Sequence, residues 1–467
     1  MRTTRTAEDR ARKRDAQAEG AGQNPAEYVT GAEGSPWVKE SSDPQVDDLL
    51  KRVVESENMK CAWKQVKRNK GVCGVDGRSI KETERFIREH WPDIRKRLLE
   101  GTYTPYPVLR VEIPKPGGGT RKLGIPTVVD RLIQQAISQI LTPMFDSGFS
   151  ESSYGFRPGR RAHDAVRQAL AHQQGGKQWV VDLDLKQFFD EVDHDVLMSR
   201  LGRRVKDKRL KRLINGYLKA GVLCAEGLRP SEKGTPQGGP LSPLLSNILL
   251  DDLDKELERR GHSFCRYADD CAIYVRTQRS GLRVMDSVTR YVEEVLKLKV
   301  NREKSTVARP WKRIFLGFTF RKMWGTMRIS VPERSLQRFR NHVKELLHRG
   351  RGQNVGRFIK EILNPTLRGW LQYFSLGASK RTLASLDFWI RRCLRCLIWR
   401  QWKRPATRVR RLIGLGCSQD RAMFGCTRRG PWWCSGTPFL TQALTPQYFQ
   451  QRSLFSLREG MYPCDEH

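Results

Sequence analysis

The 467-residue chain lacks any long hydrophobic run, although 38% of its residues are hydrophobic. Because a transmembrane helix needs about 20 consecutive apolar residues, the sequence predicts no membrane span. Acidic residues are also scarce: 51 Asp and Glu stand against 86 Lys and Arg, which gives a formal net charge of +35. So large a surplus on a folded chain indicates a polyanionic partner, although a nonenzymatic RNA-binding protein would show the same excess.

A disulfide framework is lacking as well, because the 11 cysteines are scattered and odd in number. This pattern favours reduced thiols in a cytoplasmic protein. Cys393 and Cys396 form a close pair, but a zinc site usually needs a second pair or histidines at ligand spacing. Both fall in an apolar helical pattern, which favours core thiols.

Residues 1–45 form a polar tail whose composition predicts disorder, and the acidic residues Glu8, Asp9 and Asp15 argue against an organellar presequence. From residue 46 the chain becomes organised. Residues 46–66 have the spacing of an amphipathic helix, and a second helix is predicted over 79–99.

Two adjacent aspartates, Asp269 and Asp270, lie between short apolar runs at 264–267 and 271–275. Each run is typical of a strand, so the aspartates are predicted at the tip of a hairpin. Adjacent carboxylates on a tight turn repel each other unless a divalent cation neutralises them. Magnesium chemistry on phosphates uses such hard oxygen ligands, although an isolated pair of this kind can be an ordinary solvated turn.

A second acidic segment lies upstream, where residues 179–185 alternate apolar and acidic side chains with strand period. This places Asp182 and Asp184 on the face opposite three aliphatic side chains. Phe189 follows Asp184 at the fifth position. Residues 234–243 then form a turn-rich segment that contains Gln237 and leads into an apolar run typical of a helix.

These three segments, in this order, resemble the carboxylate and nucleotide-contacting motifs of reverse transcriptases. Residues 113–126 are similar to the fingers hairpin of the bacterial group II intron-encoded members, and residues 153–160 follow in the expected place. Residues 363–374 are similar to the maturase segment of the same family. That last match separates this chain from retroviral and telomeric relatives.

The resemblance implies an α+β right-hand polymerase, with fingers and palm of reverse transcriptase type and an all-helical thumb. After the tail at 1–45, the expected parts are an N-terminal extension with fingers at 46–178 and a palm with the carboxylates at 179–330. A helical thumb or maturase domain at 331–405 follows. The last part is a small basic extension at 406–467, which resembles a DNA-binding region.

The resemblance also implies the catalytic residues. Asp184, Asp269 and Asp270 are expected to hold two Mg²⁺ ions, one lowering the pKa of the primer 3′-hydroxyl and one neutralising the leaving pyrophosphate. Asp182 and Asp190 are weaker candidates because the family triad already has its members.

Five residues are expected to contact the incoming deoxynucleoside triphosphate: Lys115, Arg121, Phe189, Gln237 and Lys304. Lys115 and Arg121 would hold the triphosphate, unless they belong to a salt-bridged surface hairpin. Phe189 would lie under the sugar and exclude a 2′-hydroxyl, with Gln237 on the other side of the nucleotide. Lys304 matches a lysine near the triphosphate, although a surface lysine at a helix end is an equal alternative.

Four basic residues are expected to contact nucleic acid. Lys70 lies in a glycine-rich loop that the family places beside the template, or in a simple turn between helices. Arg391, Arg392 and Arg395 are expected on the outward face of a thumb helix over 383–402, where they would contact phosphates.

The expected function is therefore that of an RNA-directed DNA polymerase and maturase, which binds group II intron RNA, assists its splicing and copies it after insertion into target DNA. A bacterial cytoplasmic location follows from this function. Two alternatives stay open: a splicing-only RNA-binding cofactor, and a host-domesticated reverse transcriptase in defence or repair. The segment after Ala406 contains only His467 as histidine and no Cys-x-x-Cys pair, so no nuclease activity on the second DNA strand is expected.

Overall fold

The computed structural model describes residues 48–114, 120–224, 227–428 and 430–461. They group into two compact units, which divide between Arg309 and Pro310. The tail predicted at 1–45 lies outside the described residues, and so does Lys115.

The first unit combines helices with short strands. Its helices are α1 (Leu49–Val53), α2 (Ser56–Arg68), α3 (Ile80–Glu100), α4 (Val128–Asp146), α5 (Ala162–Gln174), α6 (Phe188–Glu191), α7 (His194–Arg204), α8 (Lys208–Lys219), α9 (Ser242–Arg259) and α10 (Gln278–Glu294). Its strands are β1 (Val108–Pro114), β2 (Thr120–Ile125), β3 (Trp179–Leu183), β4 (Val222–Cys224), β5 (Gly227–Arg229), β6 (Ser263–Tyr267), β7 (Asp270–Val275) and β8 (Thr306–Ala308).

Two four-stranded sheets organise this unit. The first has the order β2-β1-β4-β5, in which β1 and β2 form an antiparallel hairpin and β1 pairs with β4 in parallel. The second sheet has the order β6-β7-β3-β8 and is antiparallel throughout. Its central strands β3 and β7 contribute Val181, Leu183 and Ile273 to a single hydrophobic core, in which each is at most 1% exposed.

The helix predicted over 79–99 is confirmed as α3. Ser79 caps it in a reciprocal arrangement, because the Glu82 amide donates to the Ser79 hydroxyl and the Ser79 amide donates to the Glu82 carboxylate at 2.8 Å. The single helix predicted over 46–66 is wrong in one respect. Glu55 adopts an extended conformation, with φ −61° and ψ 141°, and divides the segment into α1 and α2.

The second unit is mainly helical. Its strands are β9 (Thr319–Met323) and β10 (Thr326–Ser330), which pair as an antiparallel hairpin. Its helices are α11 (Glu333–Arg349), α12 (Val355–Phe358), α13 (Asn364–Phe374), α14 (Lys380–Gln401), α15 (Pro405–Ile413), α16 (Gln419–Cys426), α17 (Pro431–Cys434), α18 (Pro438–Ala443) and α19 (Pro446–Gln450). Short 3₁₀ segments at Pro310–Lys312 and Gly350–Gly352 and a π-helical segment at Ile359–Leu363 complete it.

Asparagine directly before proline is typical of a helix start, with asparagine as the cap, but Asn364 does not cap α13. It has helical angles, φ −60° and ψ −43°, and continues the chain from the preceding π-helical segment. Its side chain is buried; Nδ2 donates to the Ser453 carbonyl at 2.7 Å and Oδ1 accepts from the Phe455 amide at 2.9 Å. Tertiary hydrogen bonds therefore use the amide that local sequence would assign to a cap.

The predicted α+β class is confirmed, with strands and helices mixed in the first unit and the predicted thumb helices present in the second. The five-part division of the chain stays a prediction. The β9–β10 hairpin, expected as part of the palm, groups with the second unit. In the described ranges, no helix has both the length and the apolar character that a membrane crossing requires.

Candidate active site

The two adjacent aspartates lie at the tip of the β6–β7 hairpin, as predicted. Tyr267 pairs with Asp270, so Ala268 and Asp269 are the two turn residues. Ala268 has a φ of 56°, which matches hairpin turns that need a positive φ at the first central position. The turn places both carboxylates at one end of the sheet.

The register of the sheet brings a third carboxylate to the same end. Leu183, the last residue of β3, pairs with Cys271 of β7. Asp184, which follows Leu183, and Asp270, which precedes Cys271, therefore lie at the same end of the sheet. The predicted alternation is confirmed: Val181 and Leu183 are fully buried, whereas Asp184 is partly exposed. Strand pairing thus joins two motifs that are far apart in sequence.

The segment after Val300 supports Asp184 from the other side. The Asp184 amide donates to the Ser305 hydroxyl at 3.0 Å, and the Asn301 amide donates to the Asp184 carbonyl at 2.8 Å. Lys304 is exposed, and its Nζ lies 3.6 Å from Asp184 Oδ2. The predicted nucleotide contact therefore lies beside a predicted catalytic carboxylate.

Mutual repulsion links the carboxylates electrostatically. Although Asp270 remains exposed, partial loss of hydration together with the charges of Asp269, Asp182 and Asp184 raises its pKa to about 7. Loss of hydration and the charge of Asp184 also raise the pKa of Asp269, while Arg121 opposes this shift. Arg121 thus lies within electrostatic reach of the site.

The donor set suits a hard divalent cation, because all the candidate ligands are carboxylate oxygens. In the part of the chain that the structure describes, however, no three acidic, histidine or cysteine side chains converge closely enough to form a ready-made metal site. The charge repulsion and the ligand chemistry fit magnesium. The backbone brings the carboxylates to one end of the sheet, but their side-chain oxygens are not arranged as a complete set of metal ligands.

A buried ion pair beneath the turn escaped the sequence analysis. Arg266 and Asp254 are both fully buried, and Arg266 Nε and Nη2 donate to the two carboxylate oxygens at 2.7 and 2.5 Å. Arg266 Nη1 donates to the Ala268 carbonyl at 2.9 Å and to Asn247 Oδ1 at 3.0 Å, and Nη2 also donates to Ser153 Oγ at 2.8 Å. All five guanidinium N–H donors are therefore used.

The buried Arg266 explains how an alanine holds a positive φ at the β6–β7 turn. The Arg266 bond to the Ala268 carbonyl fixes the turn from below. Gly155 packs against the same turn so closely that a Cβ there would lie 2.2 Å from the Ala268 nitrogen. One signal in the sequence could have revealed this support: a single arginine inside the apolar strand that precedes the aspartates.

The predicted sugar and nucleotide contacts share one backbone network. The Thr235 amide donates to the Phe189 carbonyl at 2.7 Å, and the Gly124 amide of β2 donates to the Gln237 carbonyl at 2.9 Å. Phe189 is half-buried at the edge of the core. Phe189, Gln237 and the strand that carries Arg121 are thereby joined, although Lys115 lies outside the described residues.

The prediction that Arg395 lies on the outward face of α14 is wrong. It is only 4% exposed, Nε donates to the Leu444 carbonyl at 3.0 Å, and burial together with Arg391 and Arg392 lowers its pKa. A phosphate contact for Arg395 does not fit this position. Arg391 and Arg392 remain partly exposed, and the Arg392 guanidinium lies 4.2 Å from the Trp432 ring centre.

Lys70 is exposed in the loop after α2 and has a φ of 47°. The loop is packed rather than loose, because a Cβ at Gly74 would lie 2.7 Å from the Thr127 backbone. This geometry presents Lys70 to solvent. Its expected contact with nucleic acid stays a prediction.

Comparison with known proteins agrees with this geometry. The family model described as reverse transcriptase (RNA-dependent DNA polymerase) matches residues 113–320, which contain all three carboxylates. The family model described as group II intron, maturase-specific domain, matches residues 336–413.

Two curated relatives show how far the similarity extends. The chain is 31% identical over 357 residues to Protein YkfC of Escherichia coli K12, an alignment that covers 67% of this chain and 94% of YkfC. It is 36% identical over 223 residues to the group II intron-encoded protein LtrA of Lactococcus lactis, which covers 47% of this chain and 37% of LtrA. The chain thus matches nearly all of one relative and about a third of the other.

Among solved structures, a partial Cas6-RT-Cas1–Cas2 complex aligns with a TM-score of 0.35 at 25% identity, covering 53% of this chain and 42% of that chain. Telomerase from Candida albicans aligns with a TM-score of 0.38 at 14% identity, covering 68% of each chain.

Proposed function

The chain belongs to the group II intron-encoded reverse transcriptases with a maturase domain, and from this premise we propose that it is an active RNA-directed DNA polymerase that also assists splicing of an intron RNA. The observation that carries the proposal is the strand register, which places the backbone positions of Asp184, Asp269 and Asp270 at the same end of the β3–β7 pair. A splicing-only cofactor would have no use for such a cluster.

The three carboxylates are the residues that would hold two Mg²⁺ ions. Bound there, magnesium would lower the pKa of a primer 3′-hydroxyl and neutralise charge on the leaving pyrophosphate. The protein's own contribution is the position of the oxygens. Strand register fixes the backbone position of Asp184, and the turn supported by Arg266 fixes the backbone positions of Asp269 and Asp270.

Lys304 and Arg121 are the cations proposed to receive the triphosphate. The position of Lys304 Nζ, 3.6 Å from Asp184, supports this role, because a triphosphate that approached the carboxylates would lie next to the ammonium group. Arg121 is exposed, and its charge opposes the rise in the pKa of Asp269 that loss of hydration causes. Lys115 is proposed for the same role from the family resemblance alone.

Phe189 and Gln237 are proposed to select the nucleotide. The hydrogen bond between the Phe189 carbonyl and the Thr235 amide ties the aromatic residue to the segment that carries Gln237. A half-buried ring in this network has little freedom to move aside for a 2′-hydroxyl. Deoxynucleoside triphosphates are therefore the proposed substrates.

The nucleic-acid partners are group II intron RNA and a target DNA. The net charge of +35 and the match to a maturase-specific domain support the first of these. Lys70, Arg391 and Arg392 are proposed as phosphate contacts because all three are solvent-accessible. A bacterial cytoplasmic location is part of the same proposal.

Primer extension on an RNA template tests the polymerase assignment. Asp184→Asn keeps the shape of the side chain but removes its charge, so extension should fall to background. Asp286→Asn is the matched control, because Asp286 is solvent-accessible on α10 and should leave extension unchanged. Unimpaired extension by Asp184→Asn would place catalysis elsewhere, and a wild-type protein that aids splicing without any extension would favour the splicing-only cofactor.

A further inference from the structure

The turn of the β9–β10 hairpin contains a tryptophan whose presence the stability of the fold does not explain. Trp324 and Gly325 are its two turn residues, with φ values of 48° and 83°. Positive φ at both central positions favours Asn, Asp and Gly, and a bulky residue there is an outlier. Trp324 is also 85% exposed, so it contributes no buried surface in return.

The two faces of this hairpin differ in character. Phe320 and Met327 are at most 7% exposed and anchor one face to the protein. The opposite face presents Arg321 and Arg328, which are both exposed and stand directly opposite each other in the register. Like charges at directly opposed positions destabilise a strand pair.

No acidic residue within the hairpin offsets this repulsion, and Glu333, which follows the hairpin, pairs with Arg340 instead. Residues 310–332 contain no Asp or Glu, whereas Lys312, Arg313 and Lys322 add to the positive charge. The Arg328 guanidinium also lies 5.5 Å from the Trp324 ring centre. The hairpin thus combines an exposed aromatic plane with paired cations that an external anion can neutralise.

We propose that the tip of the β9–β10 hairpin, defined by Trp324, Arg321 and Arg328, is a binding surface for a single-stranded segment of RNA. The Trp324 ring stacks on an unpaired base, and the two guanidinium groups contact the flanking phosphates. A single strand fits best, because its bases expose their faces to an aromatic ring, whereas the faces of paired bases are covered by stacking. The identity of the RNA rests on the proposed function, but the chemistry of the surface does not.

The first test separates binding from folding at the tip. Asn is favoured at the first position of this turn, so Trp324→Asn should unfold at the same temperature as the wild type or higher. The full-length variant should nevertheless bind a labelled single-stranded RNA roughly tenfold more weakly in a fluorescence anisotropy titration. Trp324→Phe, which keeps an aromatic plane, should recover most of the affinity. Unchanged affinity in Trp324→Asn, or a lowered unfolding temperature, would overturn the proposal.

A salt series tests the phosphate contacts. Replacing Arg321 and Arg328 by Gln should reduce the slope of log affinity against log salt by about 0.7 for each arginine–phosphate pair removed from a single strand. The matched control is the same double substitution at Arg279 and Arg283, which are exposed on α10 in the other unit. An equal change of slope in both double variants would show that only net charge matters and would refute the hairpin surface.

An anionic membrane is the competing partner, since tryptophan and arginine also favour lipid headgroups. Co-sedimentation with phosphatidylserine vesicles distinguishes the two. Vesicle binding that disappears in Trp324→Asn while RNA affinity persists would contradict the proposal; loss of RNA affinity alone supports it. The assays measure binding without nucleotide, so a hairpin that fails leaves the polymerase assignment standing, and an inactive polymerase leaves the hairpin standing.

Discussion

Arg266 supports the candidate active site although it is not one of the candidate catalytic residues. Its guanidinium pairs with Asp254 and at the same time holds the carbonyl of Ala268, the residue next to Asp269. Because both charges are fully buried, removing one partner leaves the other without compensation. The conformation of the turn that carries Asp269 therefore depends on this pair.

Arg266→Met should lower the free energy of unfolding by about 3–5 kcal/mol, because Asp254 would be left charged and unpaired in the core. Denaturant unfolding measures this loss. Combining it with Asp254→Leu should restore part of the stability, since no buried charge then remains. Arg203→Met is the control, because its ion pair with Asp252 is largely exposed on the arginine side and should contribute at most about 1 kcal/mol. Equal losses in both single variants would contradict this account.

Phe189→Ala should increase ribonucleotide incorporation relative to deoxynucleotide by roughly tenfold or more, because the ring proposed to exclude the 2′-hydroxyl is removed. Single-nucleotide primer extension with each substrate measures the ratio. Phe388→Ala serves as control, since Phe388 is exposed on α14 and lies outside this network. An unchanged ratio in Phe189→Ala would place the sugar selection at another residue.

At the scale of elements, α14 is buried on more sides than its amphipathic pattern suggests. The C-terminal segment packs against it: Asp387 accepts hydrogen bonds from the Leu457 and Arg458 amides, and Arg395 donates to Leu444. A helix enclosed in this way has only a narrow exposed strip. Its arginines therefore divide into buried and accessible ones, which periodicity cannot separate.

Neutralising Arg391 and Arg392 should weaken binding to intron RNA and flatten its salt dependence, by about 0.7 to 0.9 units of log-log slope for each arginine–phosphate pair removed. Arg395→Met, which keeps an apolar stem in the buried position, should leave the slope unchanged. Filter binding across a salt series compares the variants. A slope change in Arg395→Met equal to that of Arg391→Gln would show that Arg395 reaches the RNA despite its burial.

For the whole molecule, the candidate catalytic residues and the maturase-specific match fall in different compact units. The three carboxylates all lie before Arg309, whereas the match to the maturase-specific domain lies entirely after Pro310. The net charge of +35 belongs to the chain as a whole. Polymerisation and RNA binding should therefore be separable by substitution.

Asp269→Asn should abolish primer extension while protein-assisted splicing continues at close to the wild-type rate, because the carboxylates are proposed to hold metal for DNA synthesis alone. Splicing of the cognate intron RNA and primer extension are measured on the same preparation. Circular dichroism confirms that the variant is folded. Equal loss of both activities in a folded variant would show that the carboxylates also support RNA binding.

Local patterns in the sequence were sufficient to predict the hairpin of the two aspartates and the buried face of β3, because alternation and turn residues act over a few positions. The family resemblance supplied the roles of Asp184, Asp269 and Asp270. Only tertiary structure decided the rest. Contacts between residues far apart in the chain decide which strands pair and which arginines are buried, as Arg266 and Arg395 show. The same kind of contact engages the Asn364 side chain, which therefore does not cap a helix.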